Sequence, residues 1–256
     1  MSVTKRPPFS MALHTVAPME VALSAWYAVH QRDLPWRRTS DPYPVLVSEV
    51  MLQQTQVARV VPRYLAWLER WPTVESLAEA SSADVIREWQ GLGYNRRGLN
   101  LHRAVRRIVE SGWPDDLTKL PGVGPYTAAA IRRFSFGEDV LPVDVNVERV
   151  QRRTGHAFSS AAAQALMDLG STVCLARIPR CGVCPLAFEC PSRGIREAPA
   201  RKQGPFEGSF RKRRALTLRA IATSAKGLDA LDGEAVRSLE RDGLVVVEDG
   251  VAGLPT

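Results

Sequence analysis

The chain has 256 residues, 45% hydrophobic and 24% charged, with 18 glycines and 18 prolines. That composition excludes a mostly disordered or collagen-like protein and leaves room for one sizeable core with a small appendage. The 34 Lys and Arg against 27 Asp and Glu give a net charge of +7, with only five Lys among the cations; guanidinium groups grip two phosphate oxygens at once, so a polyanion is the expected partner.

In chain order, Leu23, Trp26, Tyr27 and His30 fall at i, i+3, i+4 and i+7, and Leu101, Val105, Ile108 and Val109 repeat the helical spacing. Strand-like alternation is nearly absent before residue 190. Breakers punctuate the helices: DLPW near residue 35, DPYP at 41–44, WP at 71–72, GLGY at 91–94, WPDD at 113–116 and LPGVGP at 120–125. About ten helices in an all-α core are predicted. Residues 193–213 read as a basic linker rich in Arg, Lys, Pro and Gly. Two short helices follow, roughly 214–224 and 232–242, and then GLVVVEDGVAGLP, where Asp249-Gly250 suits a hairpin turn. The predicted plan is an N-terminal extension (1–19), a core (20–192), the linker, and a small winged-helix-like appendage (214–256). No window reaches the roughly 18 apolar residues of a membrane span. Pro7, Pro8, Pro18 and Glu20 also interrupt any secretory pattern, so a cytoplasmic protein is expected.

Two motifs point to chemistry. Cys174, Cys181, Cys184 and Cys190 are spaced C-x6-C-x2-C-x5-C, a crowding that fits one metal site better than two disulfides. The candidates are an all-thiolate Zn²⁺ site and an iron-sulfur cluster, and the wide outer spacings suit the larger group. Arg177, Arg180 and Arg193 stand where a phosphate backbone could pass. In LPGVGPYTAAAI, residues 120–131, Gly122 and Gly124 allow a tight turn and bare backbone N–H groups at a helix start. This is a helix-hairpin-helix signature for sequence-independent duplex binding.

LPWR at 34–37, SEVMLQQTQV at 48–57, GLGYNRRGLNLH at 91–102, LPGVGPYTA at 120–128, VDVNVERV at 143–150, QALMDLGSTVC at 164–174 and the cysteine loop resemble, in the same order, the motifs of MutY-type adenine DNA glycosylases. These belong with endonuclease III in the helix-hairpin-helix superfamily. The resemblance implies an all-α, two-lobed fold with a 4Fe-4S cluster loop. It also implies hydrolysis of the N-glycosidic bond of adenine mispaired with 8-oxoguanine or guanine in double-stranded DNA, by a monomer associated with a bacterial nucleoid. Such chemistry needs an acid for the leaving base and a carboxylate for the sugar cation. Glu49 matches the acid and Asp144 the carboxylate, with Asn146 positioning Asp144 and the sugar. Tyr126 stands where the bifunctional branch carries a nucleophilic lysine, so no Schiff base is expected. Gln54 and Tyr94 match the wedge and the aromatic that enter the base stack, and Arg37 and Gln164 match residues lining the extruded-base pocket.

Three departures stand beside these matches. The stretch between Asp144 and Cys174 is short, where the family has an extra helix or more. Val145 replaces the usual glycine or threonine, and the C-terminal Nudix-like domain that reads 8-oxoguanine has no counterpart. The alternatives are a glycosylase for thymine or uracil opposite guanine and a non-catalytic DNA-binding iron-sulfur protein.

Overall fold

Each of the six breakers lies between two helices or opens one. The computed structural model describes residues 18–198 and 204–256; most of the N-terminal extension, and Arg201 and Lys202 of the basic linker, lie outside the described residues. The helices are α1 (Pro18–His30), α2 (Pro42–Leu52), α3 (Val57–Arg70), α4 (Val74–Ala78), α5 (Ser82–Glu88), α6 (Arg96–Ser111), α7 (Pro125–Phe134), α8 (Val145–Thr154), α9 (Ala163–Thr172), α10 (Phe210–Thr223) and α11 (Gly233–Arg241). Three short strands close the chain: β1 (Lys226–Gly227), β2 (Val246–Glu248) and β3 (Val251–Gly253). Among the described residues no helix is long and apolar enough to cross a membrane.

The chain divides into two compact units, in keeping with a two-lobed fold. Among the described residues, one holds 18–31 and 145–197, and the other holds 32–144, 198 and 204–256.

In the larger unit, DPYP is a helix start rather than a loop. Asp41 caps α2 by accepting from the Tyr43 N–H at 2.9 Å, and Pro42 occupies a first-turn position where its missing N–H costs nothing. Every residue of α2 from Tyr43 to Met51 is buried, so this helix is the axis of the core. Around it, α3 contributes Val60, Tyr64 and Trp67, and α6 contributes Leu101, Val105 and Ile108. Trp67 stacks edge-on with Trp71 and Trp89, at centroid distances of 4.7 and 5.5 Å.

The appendage belongs to this unit. Its strands form an antiparallel sheet of order β1-β3-β2. The β2–β3 turn is Asp249-Gly250, with φ of 48° and 76°, as a two-residue hairpin requires. Leu218 and Ile221 of α10, Val236 and Leu239 of α11, and Leu244, Val245 and Ala252 share a core with Ile86 of α5 and Leu99 of α6. Capped by Ser209, α10 begins at Phe210, inside the segment read as linker. Three of its basic residues form ion pairs. Arg213 pairs with Asp232 (2.6 Å) and Glu234 (2.8 Å), Arg214 with Asp242 (2.6 Å), and Lys212 with Glu207.

In the smaller unit, Met19 and Leu23 of α1, Val147 and Val150 of α8, and Leu166 and Leu169 of α9 are buried. Gly170 permits the closest approach here, since a Cβ on it would lie 2.7 Å from the Cβ of Asn146.

Candidate active site

Glu49 sits near the end of α2 with 6% of its surface exposed. Tyr126 occupies the first turn of α7, which Gly124 and Pro125 open. Its hydroxyl donates to the Glu49 carboxyl. Asp144, the residue just before α8, is close enough for its charge to act on both groups. Burial pushes the Glu49 carboxyl up to about 7, the Tyr126 hydrogen bond opposes that rise, and the charge of Asp144 adds to it. Near neutrality the group is therefore poised between acid and base. The Tyr126 phenol is held well above its ordinary range, by burial first and then by the two carboxylates, so it stays a donor.

Two exposed turns flank α2 and α6. Gln54 follows α2 with φ of 56°, and Tyr94 precedes α6 with φ of 47° and half its surface exposed. Left-handed backbone is rare for such residues and is a mark of functional loops. Gln54 lies beyond the end of α2. At the hairpin, Gly122 has φ of 79°, and a Cβ there would come within 2.9 Å of Asn100. The Gln53 side chain donates to the Gly122 carbonyl at 3.3 Å. Gly124 faces open space and supplies no side-chain cap, which leaves the first N–H groups of α7 for an anion.

The remaining candidates have defined partners. The Asn146 side-chain oxygen accepts from Arg149 at 2.7 Å. Gln164 Oε1 accepts from the Tyr27 hydroxyl at 2.8 Å. Arg37 is half-buried and donates to the Arg32 carbonyl at 3.1 Å. Trp36, beside Arg37, is buried with its ring edge-on to Tyr64.

The four cysteines are unpaired and line a single cavity together with Val150, Leu169, Val173 and Leu186. The Gly194 N–H donates to Cys181 Sγ at 3.3 Å, and Arg153 Nη1 to Cys174 Sγ at 3.5 Å. Burial, with the neighbouring sulfurs of Cys174, Cys181 and Cys190, pushes the Cys184 thiol up to about 11. Four sulfurs, an apolar wall and N–H donors turned onto sulfur fit an iron-sulfur cluster.

Three arginines of structural weight were not singled out from the sequence. Arg149 donates to the carbonyls of Cys174 and Gly170, both at 2.7 Å. Arg153, 3% exposed, ties Leu175, Ala176, Ile195 and Glu197 into one clasp around the cysteine loop. Arg97 joins the Gln54 and Tyr94 turns. Its one sequence signal is position: a cation in the first turn of a helix opposes the helix dipole and needs another reason to be there.

A family model described as HhH-GPD superfamily base excision DNA repair protein matches residues 47–170. An adenine DNA glycosylase of Mycolicibacterium smegmatis is 42% identical over 203 residues, 68% of each chain. One from Mycobacterium tuberculosis is 41% identical over 224 residues, 74% of each chain. The human adenine DNA glycosylase is 39% identical over 67% of this chain and 39% of its own. Among solved structures, a thermostable thymine-DNA glycosylase aligns with a TM-score of 0.61 at 24% identity, covering 68% of this chain and 94% of its own. An endonuclease III trapped on DNA aligns at 0.60 and 21%, covering 68% and 93%. Both share the fold.

Proposed function

Because the chain belongs to the adenine DNA glycosylases of the HhH-GPD base excision repair superfamily, we propose that it hydrolyses the N-glycosidic bond of adenine mispaired with 8-oxoguanine or guanine in double-stranded DNA. The observation that carries the reading is a buried carboxyl at Glu49, pushed up to about 7 by that burial, hydrogen-bonded by Tyr126 and within reach of the Asp144 charge. Protonated Glu49 delivers its proton to N7 of the extruded purine, so the base departs neutral. The sugar left behind has oxocarbenium character, which Asp144 stabilises while Asn146 holds the sugar and Asp144 in register. Glu49, now a carboxylate, takes a proton from the water that adds to the anomeric carbon. Tyr126 offers no amine, so no covalent enzyme-sugar link forms and the strand stays intact.

Gln54 and Tyr94 fill the stack around the orphan base, Arg37 and Gln164 line the base pocket, and Gly122 and Gly124 hold a backbone phosphate. Cys174, Cys181, Cys184 and Cys190 hold a 4Fe-4S cluster, which when bound supplies a rigid centre with a one-electron couple. Arg153 and the Gly194 N–H are the chain's own donors toward its sulfur ligands. The protein acts as a monomer at the nucleoid.

The test is single-turnover base release from duplexes carrying A opposite 8-oxoguanine, A opposite G, T opposite G and U opposite G, worked up with and without alkali. Alkali-dependent cleavage of the A-containing strands alone is expected. Cleavage of T or U duplexes would favour a pocket remade by the short Gly155–Ala162 connection between α8 and α9, and cleavage without alkali would overturn the monofunctional assignment.

A further inference from the structure

Gln54 and Tyr94 stand on separate turns, and one half-buried side chain joins those turns. Arg97 Nη1 donates to the carbonyls of Val50 (2.8 Å) and Met51 (3.1 Å), and also to that of Gln53. Its Nη2 donates to Thr55 Oγ1 (2.9 Å) and to the carbonyls of Leu92 (3.2 Å) and Gly93 (3.0 Å). Thr55 Oγ1 donates in turn to the Leu92 carbonyl at 3.3 Å. The guanidinium lies 5.6 Å from the Tyr94 ring centre and 5.4 Å from that of Trp89. Among the described residues no carboxylate pairs with it.

A desolvated cation without a counter-ion is costly, and what offsets the cost identifies its work. Val50 and Met51 belong to the last turn of α2, whose carbonyls have no partner within the helix and carry the negative end of its dipole. Arg97 therefore caps α2. A glycine in a left-handed cap would close that helix end more simply, but a glycine does not reach a second turn. The planar fork of five donors does.

We propose that Arg97 is a positioning residue that makes the Gln54 and Tyr94 turns one rigid insert and fixes that insert to the end of α2, beginning at the residue next to Glu49. The inference rests on the reading of Gln54 and Tyr94 as the side chains that enter the duplex. With both turns held by one guanidinium, the two side chains enter together, and a duplex that cannot seat one gains little from the other.

A double-substitution cycle tests this. Gln54→Ala, Tyr94→Ala and the pair are measured by single-turnover adenine release and by binding to a duplex carrying A opposite 8-oxoguanine. In the intact chain the pair should lose about tenfold less than the product of the two single losses. In an Arg97→Lys background the losses should simply multiply, since one ammonium keeps the charge but cannot bridge both turns. Thr55→Val, which cuts the link at the second turn and keeps Arg97, should weaken the coupling in the same direction and serves if the arginine variant fails to fold. Multiplying losses in the intact chain would overturn the inference, as would coupling that survives both Arg97→Lys and Thr55→Val. If neither single substitution alters release or binding, the reading of the two side chains as inserted groups fails, and the inference with it.

Discussion

The hydroxyl of Tyr126 donates to the carboxyl of Glu49, so a residue that opens one helix sets the proton affinity of a residue near the end of another. Because that bond favours the carboxylate, it holds Glu49 near neutrality against the larger effect of burial. Tyr126→Phe should therefore move the alkaline limb of the base-release profile to higher pH, while lowering the plateau about tenfold through lost orientation. A single-turnover pH series on both proteins measures this; an alkaline limb that stays in place would show that the hydrogen bond does not tune the acid.

Glu49→Gln should leave duplex affinity within about threefold and lower base release by at least about 1000-fold, since the amide has no proton to give. Wild-type release should fall as pH rises above about 7, where Glu49 loses its proton. Release near wild-type rates in the Gln variant would remove Glu49 from the acid role.

The same carboxyl has a signature in stability. Its folded value of about 7 lies above the ordinary 4.5, so between those two values the native state binds more protons than the unfolded state. Stability contributed at this site is thus full at acid pH, is lost as pH rises through that window, and stays lost above it, for a total of about 3 kcal/mol. Urea unfolding of the wild type and Glu49→Gln at pH 4 and pH 8 should give a difference that favours the variant at pH 8 by about that amount more than at pH 4. Equal differences at both values would mean that Glu49 is not desolvated in the free protein.

The cysteine loop gives a compositional test. Purified protein should be brown, with about four irons per chain rather than one zinc. Arg153→Ala should strip Cys174 of a donor and remove the guanidinium from the Leu175, Ala176 and Ile195 carbonyls, destabilising the loop by about 2 kcal/mol. Iron loss from the variant in a chelator time course should outpace that from the wild type.

Leu218, fully buried between the appendage helices and α5 and α6, should cost about 2–4 kcal/mol as Ala in urea unfolding. An unchanged midpoint would mean that the appendage is not docked in solution.

Much of this was legible in the chain itself. Helix ends follow the Pro and Gly breakers because those residues act locally, and Asp249-Gly250 reveals its turn for the same reason. The strand β1 has two residues and no periodicity to detect. The start of α10 was read four positions late because a run of four cations looks like a linker until its partners Asp232, Glu234 and Asp242 are seen, nineteen to twenty-eight positions further on. At the candidate site the residue types and their order were readable, whereas the environment of Glu49 was not, because desolvation belongs to packing. Arg97, Arg149 and Arg153 were overlooked for a related reason: an arginine bonded to carbonyls and one waving in solvent are the same letter.

The internal pairing of the appendage has a consequence for how the molecule approaches DNA. Residues 204–256 carry eight basic and eight acidic side chains, and the first basic cluster is spent on its own neighbours. This segment therefore adds no net charge to draw a duplex in from a distance. The long-range attraction of a duplex is then set by the rest of the chain, and the appendage travels as cargo of zero net charge packed on α5 and α6.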